Sequence, residues 1–247
     1  MKIILVTSDL TYAPQNYNDV FEYVVRNSSQ HIAGVVLIRI GKLGVLAKLP
    51  YLYFAGCKNI ADTLARNLGS ALLVGRKRKF LRKLAIPFIS VNSINDRKAI
   101  LWLNNLKPDL ILNMRARCIY KDVVLETPRL GCVNVHHGIL PRQKGLFCDL
   151  YALAENRGAG FTIHQMTNEI DQGQILYREE VNTNKNYISY LTGVALKEKV
   201  AIVNFIGIVA HNGSLPQAIA SENYDPVITT TPNFKIIKEL QRKGIIL

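Results

Sequence analysis

The stretch from Gly131 to Pro141, GCVNVHHGILP, is the part of the sequence that decides the fold. Aliphatic residues lead into it and Gly138 breaks the run, a pattern that predicts a buried strand running out into a loop. Residues two apart on a strand share a face, so Asn134 and His136 point the same way where the strand ends. Ligands of open parallel sheets bind at the carboxyl ends of strands. This position predicts acyl chemistry, because an amide can donate to an oxyanion and an imidazole can move a proton.

A second stretch carries polar residues that complement the first. Gly160 to His164 predicts another strand, and the sequence Asp-Gln-Gly-Gln-Ile begins at Asp171 after a short polar loop. The two stretches together resemble the folate-dependent formyltransferase superfamily, in which Asn-x-His precedes a Pro- and Gly-containing loop and a later His precedes Asp-x-Gly-x-Ile. Many relatives have a serine two residues after the first histidine, where this chain has Gly138. The resemblance is carried by Asn134, His136, Pro141, Gly145, His164, Asp171, Gly173 and Ile175.

The beginning of the chain favours an α/β fold. A strand over residues 2–7, a helix over residues 16–25 and a strand over residues 32–40 form a β-α-β opening. We therefore expect a doubly wound, Rossmann-like, mostly parallel sheet of the formyltransferase type. Residues 1–212 would form the catalytic domain, and residues 213–247 a short C-terminal extension that the resemblance suggests for dimer contacts.

The loop from Thr7 to Asn16 contains no glycine. A dinucleotide fingerprint and an ATP phosphate loop both need glycines at this place, so neither is predicted. Glycinamide ribonucleotide transformylases of the resembled superfamily also use a glycine-rich loop here.

The remaining elements follow from periodicity and from helix start and stop signals. One or two helices are predicted within residues 41–83, and a helix over residues 95–106 would be capped by Ser93 or Asn95. The other predicted strands cover residues 85–91, 109–113, 174–181 and 227–230, and the other helices residues 147–155, 187–210 and 235–241.

Composition limits the possible partners. The net charge of +13 suits nucleic acid, an anionic membrane surface or an anionic small substrate. No RNA-binding signature accompanies it, and the cluster around Arg76 to Lys83 is as consistent with a solvated helix face as with a ligand site. The four cysteines show no paired spacing, which fits a reducing cytoplasm. No apolar run reaches the ~20 residues that a spanning helix needs, so a cytoplasmic protein without stable membrane insertion is expected.

The resemblance implies roles for individual residues. Asn134 would stabilise the oxyanion of acyl transfer, His136 would shuttle protons and Asp171 would orient His136. His137, on the opposite face of the strand, would be structural or a loop contact, and His164 would be either a core histidine or a supporting partner. A metal site is not expected, because adjacent strand histidines diverge and no metal-ligand spacing is present.

The resemblance also implies binding contacts. The predicted contacts with the co-substrate 10-formyltetrahydrofolate are Met114, Arg115, Arg117, Thr167, Glu169 and Asp171. Those with the acceptor are Tyr12, Lys77, Gly138, Pro141 and Lys144.

The resemblance also suggests an acceptor. The hypothesis is transfer to the amine of a nucleotide-linked amino sugar of the 4-amino-4,6-dideoxyhexose type, as in bacterial O-antigen and lipopolysaccharide biosynthesis, by a homodimer. Residues 10–16 and 75–83 would be the specificity loops. Alternatives are a glycinamide ribonucleotide formyltransferase, a formyltetrahydrofolate hydrolase, or a catalytically inactive basic protein that binds nucleic acid or a membrane surface. Transfer to tRNA is disfavoured, because the residues after the long helix are too few for a further barrel domain.

Overall fold

The strands of the protein run from its first residues to its C-terminal tail. The structure, a computed structural model, describes residues 1–73, 75–220, 224 and 228–247. In this part of the chain the strands are β1 (Ile3–Ser8), β2 (Ile32–Ile38), β3 (Phe88–Val91), β4 (Leu110–Met114), β5 (Cys132–His136), β6 (Lys144–Gly145), β7 (Ala159–Gln165), β8 (Ile175–Val181) and β9 (Ile228–Thr229).

Seven of these strands form one sheet in the order β3-β2-β1-β4-β5-β7-β8. The first five strands in this order are parallel, and β7 and β8 are antiparallel additions at one edge. The strand order reverses between β1 and β4, which is the switch point at which doubly wound sheets bind ligands. The expected doubly wound, mostly parallel α/β fold is confirmed.

Helices cover both faces of the sheet. Apolar side chains of the strands alternate between two cores: Ile3, Leu5, Val133 and Val135 face one, and Ile4 and Val6 face the other. The helices in the described residues are α1 (Asn18–Asn27), α2 (Lys42–Phe54), α3 (Lys58–Leu73), α4 (Arg76–Lys83), α5 (Arg97–Leu106), α6 (Asp122–Leu125), α7 (Cys148–Ala154), α8 (Tyr187–Asn212) and α9 (Phe234–Arg242).

The larger core receives residues of α1, α4, α7, α8 and α9, whereas α5 and α6 pack on the opposite face of the sheet. The long helix α8 contributes a buried stripe that includes Tyr187, Tyr190 and Leu191, and Gly213 ends it in the left-handed conformation. Among the described helices, none combines the length and the apolar character needed to cross a bilayer.

Several predicted boundaries were wrong, each for a local reason. Residues 41–83 form three helices rather than one or two, because Gly56, at φ +80°, and Gly75, at φ +55°, separate them. The strand predicted from residue 85 begins only at Phe88, after Ala85 at φ +53°. Helix α5 is capped by Asp96 and not by Ser93 or Asn95. Residues 75–83, predicted as a specificity loop, are mostly helix α4.

The C-terminal residues pack on the same core as the rest of the chain. Ile237, Leu240, Ile245 and Leu247 are all buried there. The predicted strand over residues 227–230 appears as β9, which pairs with β6, while Val227 lies outside the described residues. The tail is thereby joined to the loop that follows β5.

Candidate functional site

The carboxyl ends of β4 and β5 bring three polar side chains into line. Asn113 is the direct neighbour of Asn134 in the parallel pair, and Asn134 is opposite His164 in the antiparallel pair of β5 and β7. Neighbouring positions of a sheet present side chains to the same face, so the three groups meet above it. The register of the sheet, and not a loop, therefore fixes the first half of the site.

The carboxamide of Asn134 is held from both sides. Its Oδ1 accepts a hydrogen bond of 2.9 Å from Asn113 Nδ2, and its Nδ2 lies 3.2 Å from His164 Nε2. Asn113 is in turn fixed by Ala116, whose backbone N–H donates to Asn113 Oδ1 at 3.0 Å. An amide nitrogen has two hydrogens. One N–H of Asn134 Nδ2 is directed to His164, and the second N–H is thereby oriented and available to a ligand.

His164 acts as the acceptor in this chain of bonds. Its Nδ1 lies 2.9 Å from the carbonyl oxygen of Gln165, which can only accept, so we assign the hydrogen to Nδ1 and leave Nε2 as acceptor for Asn134. Burial, followed by the nearby His136, lowers the pKa of His164 from 6.5 to about 4. The ring is therefore neutral near pH 7, which is the state that this hydrogen bond requires.

His136 has one ring nitrogen engaged and one directed at a carboxylate. Its Nε2 lies 2.7 Å from the carbonyl oxygen of Gln143, so this nitrogen carries a hydrogen. Its Nδ1 lies 3.5 Å from Asp171 Oδ1. A proton taken up by His136 is consequently placed on Nδ1, beside the Asp171 carboxylate. The side chain is 7% exposed, so it is nearly enclosed yet still reached from outside.

Asp171 connects the two histidines and the loop after β5. Its Oδ1 lies 3.5 Å from His136 Nδ1 and 3.6 Å from His164 Nε2, and its Oδ2 accepts a 2.9 Å hydrogen bond from the Gly145 N–H. The structure thus brings the three predicted catalytic side chains, those of Asn134, His136 and Asp171, into one cluster.

Two glycines allow the backbone to come this close. A Cβ at Gly138 would lie 2.7 Å from His136 Nε2 and would also meet the Cys148 sulfur. A Cβ at Gly173 would overlap the carbonyl group of Gln165. Real Cβ atoms do not approach other atoms so closely, so a serine at position 138 would require the loop to move.

His137, the next residue, belongs to a different cluster. Its Nε2 lies 3.2 Å from Glu198 Oε2, and its Nδ1 lies 3.8 Å from Asp149 Oδ2. Arg115 Nη1 lies 3.0 Å from both ring nitrogens, and Tyr17 donates a 2.6 Å hydrogen bond to Glu198. Glu198 is fully buried and Asp149 is 1% exposed.

Electrostatic interactions in this second cluster favour the charged forms of His137 and Glu198. Burial is the largest influence on His137 and lowers its pKa, as does Arg115, but Glu198 and Asp149 outweigh them and the pKa is raised. Burial works to raise the pKa of Glu198, but His137 and Arg115 hold it below its usual value. Opposite charges within about 4 Å favour the charged forms in this way. We therefore describe the His137 group as a buried ion cluster.

The predicted folate contacts occupy two separate places. Met114 is buried at the end of β4, and Arg117 is exposed in the turn that follows. The Arg115 side chain turns into the buried ion cluster, where its guanidinium lies over the rings of Tyr12 and Tyr17. Thr167 and Glu169 are exposed and form a turn through the Thr167 hydroxyl, ahead of Asp171.

The predicted acceptor contacts are only partly brought to the site. Gly138 and Pro141 line the loop after β5, and Lys144 in β6 is adjacent to Gly145, which binds Asp171. Tyr12 stacks on Phe147 with ring centroids 5.0 Å apart.

Lys77 is placed differently from the prediction. It is 4% exposed, and its ammonium donates a 2.6 Å hydrogen bond to the Asn16 carbonyl. Burial lowers its pKa from 10.5 to about 7. The side chain thus holds the loop after β1 to α4, and the role of Lys77 as an acceptor contact stays a prediction.

Sequence reasoning missed two groups that matter here. Asn113 orients Asn134, and the available signal was an asparagine at the end of each of two consecutive buried strands. Glu198 lies in the middle of a long helix that was treated only as a packing element. A glutamate on an otherwise apolar helical stripe indicates a buried partner, because glutamate is almost never fully buried unpaired.

Comparison with known proteins gives one family. The formyl transferase family profile matches residues 71–206, which is more than half of the chain. A methionyl-tRNA formyltransferase of Thermotoga maritima is 35% identical over 104 residues, 41% of this chain and 33% of that protein. Curated relatives such as this one are matched by this chain over only part of their own length, between 18% and 53%.

Solved structures share the fold at low identity. A sugar N-formyltransferase from Shewanella sp superposes with a TM-score of 0.59 and 15% identity, covering 98% of this chain and 87% of that one. A phosphoribosylglycinamide formyltransferase from Anaplasma phagocytophilum superposes with a TM-score of 0.62 and 15% identity. The superposition covers 90% of this chain and 96% of that one. The fold and the site thus define an α/β protein with an asparagine-histidine-aspartate cluster at a strand end. The chain belongs to the formyl transferase family.

Proposed function

We propose that the protein transfers a formyl group from 10-formyltetrahydrofolate to the amine of a nucleotide-linked amino sugar of the 4-amino-4,6-dideoxyhexose type. The observation that carries this proposal is the cluster of Asn134, His136 and Asp171, with contacts of 3.5 Å and 3.6 Å around Asp171 and an Asn134 amide fixed by two neighbours. Family membership supports the reaction class.

Asn134 supplies the oxyanion donor in this proposal. Its free N–H is directed before the reaction begins, because Asn113 and His164 hold the carboxamide, and an amide does not titrate near neutral pH. A donor that is already oriented stabilises developing negative charge without reorganisation, and loss of one such donor costs about 3 kcal/mol in related acyl chemistry.

His136 moves the protons. The attacking amine must lose a proton, and Nδ1 is the ring nitrogen free to accept it, with Asp171 positioned to stabilise the resulting imidazolium. The same nitrogen can return a proton to the departing nitrogen. The hydrogen bond from Nε2 to Gln143 fixes the ring orientation for both steps.

The residues around this cluster fit a formyl donor. When bound, 10-formyltetrahydrofolate supplies an activated formyl group. Asn113, just before the turn after β4, and His164, which lies 3.6 Å from Asp171 at the end of the Thr167–Asp171 loop, both hold Asn134. The unused N–H of Asn134 between them is the donor that a formyl oxygen requires.

A cleft at the carboxyl edge of the sheet supports a binding place for the acceptor. It has a volume of about 350 Å³ and follows the carboxyl end of β1. Pockets of this size hold small organic ligands. Its lining includes Gln15, Asn18, Asn67, Arg66 and Arg76. The Arg66 guanidinium suits a pyrophosphate, whereas Arg76 is already paired with Glu22 at 2.6 Å.

The experiment is a folate-release assay with 10-formyltetrahydrofolate and a panel of acceptors: nucleotide-linked amino sugars, glycinamide ribonucleotide and charged methionyl-tRNA. We expect turnover only with an amino sugar. Asn134→Ala should abolish it, and the matched control Asn104→Ala, an exposed residue of α5, should not.

Other outcomes assign the function differently. Release without any acceptor would mean hydrolysis of the folate. Turnover with glycinamide ribonucleotide or tRNA would replace the sugar as acceptor while leaving the proposed chemistry in place. Full activity of Asn134→Ala would overturn the proposed chemistry itself.

Two further expectations stay predictions: the domain division at residue 212 and the homodimer. A light-scattering mass equal to that of one chain would exclude the dimer.

A further inference from the structure

Helix α2 is unusual because its apolar side chains lie in water. None of its thirteen residues, all of which the structure describes, is buried. Leu43 is 83% exposed, Leu46 54% and Phe54 78%. Soluble proteins rarely leave contiguous apolar patches open unless the patch binds something.

The exposed residues form a stripe. Leu43, Leu46, Ala47, Pro50 and Phe54 are spaced i, i+3, i+4, i+7 and i+11, which places them along one side of a helix. The half-buried Val45, Leu49 and Leu52 lie on the other side, toward the protein. The helix is therefore apolar on its outer face as well as on its inner face, and packing within this chain accounts only for the inner one.

Basic residues border this stripe. An α-helix turns by about 100° per residue, which places Lys42 and Lys48 on the two flanks of the stripe. Arg39 precedes the helix and Lys58 follows it. No acidic residue occurs from Arg39 to Lys58. Over the longer segment 39–83 there are eleven Lys and Arg against the single Asp62, which accounts for +10 of the net charge of +13.

Helix α9 extends the same surface. Phe234 stacks on Phe54 with centroids 5.7 Å apart, and Lys238 Nζ donates to the Ala55 carbonyl at the end of α2. Its side chains add Lys235 and Arg242, with Glu239 as the acidic residue of the helix. We call α2 together with the start of α9 the α2–α9 patch.

We propose that the α2–α9 patch docks the protein on the surface of an anionic lipid bilayer, in addition to the transfer reaction. An interfacial helix combines exposed Leu and Phe with flanking Lys and Arg, which is the arrangement described here. The apolar stripe enters the boundary between headgroups and acyl chains, and the lysines reach anionic headgroups by extending along their stems.

The positive charge and the apolar stripe of the α2–α9 patch favour an anionic bilayer over a second copy of the chain or a nucleic acid. A second copy docked through the same patch would bring two strongly basic surfaces together, and like charges facing each other oppose association. A nucleic acid would satisfy the basic residues but would leave Leu43 and Leu46 without an apolar partner. An anionic bilayer complements both features.

The test is co-sedimentation of the full chain with vesicles of phosphatidylcholine mixed with phosphatidylglycerol, compared with phosphatidylcholine alone. We expect binding only to the anionic vesicles, weakened by salt because surface charges are screened. Lys48→Gln with Lys58→Gln should lower the partition coefficient about 25-fold, at about five-fold per lysine. Leu43→Ser with Leu46→Ser should lower it about ten-fold or more.

Matched controls come from the opposite face of the sheet. Lys98→Gln with Lys121→Gln, and Leu101→Ser with Ile119→Ser, change exposed residues of the same types around α5 and α6. These variants should bind as the unchanged chain does. Thermal unfolding of each variant verifies that it is folded.

Three results would overturn the proposal. The first is equal binding to both vesicle types or to neither. The second is a loss that depends on the lysines but not on Leu43 and Leu46, which would mean charge attraction without docking of the helix. The third is a dimer in light scattering that the leucine variant dissociates, which would assign the patch to a second copy of the chain.

Discussion

Two adjacent histidines at the end of β5 sit in opposite chemical surroundings. His136 faces neutral and polar groups, with His164 held neutral by burial and a single carboxylate, Asp171, beside it. His137 faces a buried ion cluster in which Glu198 and Asp149 raise its pKa. Alternation along the chain separates the two rings, so one ring can exchange protons in a reaction while the other is held within the buried ion cluster.

The first and largest prediction tests this division directly. His136→Ala should lower kcat/KM per folded molecule about 10²–10⁴-fold, because it removes the proposed proton acceptor. His137→Ala should instead lower the free energy of unfolding, with a much smaller effect on the rate per folded molecule. Kinetics normalised to the folded fraction distinguish the two variants, and equal rate losses would break the comparison.

The second prediction concerns the buried ion cluster. Glu198→Gln should destabilise the protein by about 3–5 kcal/mol, because it removes the buried carboxylate that pairs with His137 and whose charge offsets that of Arg115. Denaturant unfolding measures the effect.

The matched control is Glu179→Gln, at an ion pair of 2.9 Å with Lys197, which is 49% exposed. Such surface pairs contribute about 0–1 kcal/mol. If the two variants unfolded alike, the idea of a structurally essential cluster would be wrong.

The third prediction is a pH dependence. The pKa of His164 is about 4 in the fold and about 6.5 when unfolded, so between these values the unfolded chain binds more protons. Stability contributed by the neutral ring is therefore present above pH 6.5 and is lost as pH falls toward 4, by up to about 3 kcal/mol.

His164→Gln should reduce this loss, whereas His211→Gln, at an exposed position near the end of α8, should leave it unchanged. Unfolding curves measured from pH 7 to about pH 4 provide the measurement. Identical pH profiles for all three proteins would contradict the assignment.

The smallest expected effect belongs to Asn113→Ala. Removing this side chain leaves Asn134 Oδ1 without its donor and frees the carboxamide to rotate. We expect kcat to fall about ten-fold with KM little changed, since loss of orientation rather than of the donor itself is involved. A change in KM alone would indicate a binding role instead.

The sequence alone predicted those parts of the site that depend on residues close together in the chain. The side-chain alternation of a strand places Asn134 and His136 together. The resemblance of the Asp-x-Gly stretch to that of the formyltransferases pointed to Asp171, and the nearby Gly173 has no room for a Cβ. The β-α-β opening and the run from Gly131 to Pro141 likewise predicted the sheet. These features are encoded within a few residues of one another.

The rest depends on long-range packing. Glu198 reaches His137 from 61 residues away, and nothing local to α8 specifies that partner. Lys77 looked available because it lies in a basic run, but tertiary packing buries that one residue beneath the loop after β1. Periodicity predicts which side of a helix is apolar, and it does not predict which charged residue the fold encloses.

The pairing of β6 with β9 has a consequence for the order in which the protein is made. Lys144 and Gly145 pair with Ile228 and Thr229, and the N–H of Gly145 binds Asp171. During synthesis, Asn134, His136 and Asp171 all leave the ribosome well before residues 228 and 229 do. A nascent chain can therefore fold most of its sheet while the loop that positions Asp171 still lacks its partner strand, and the site becomes complete only after residues 228 and 229 have been translated.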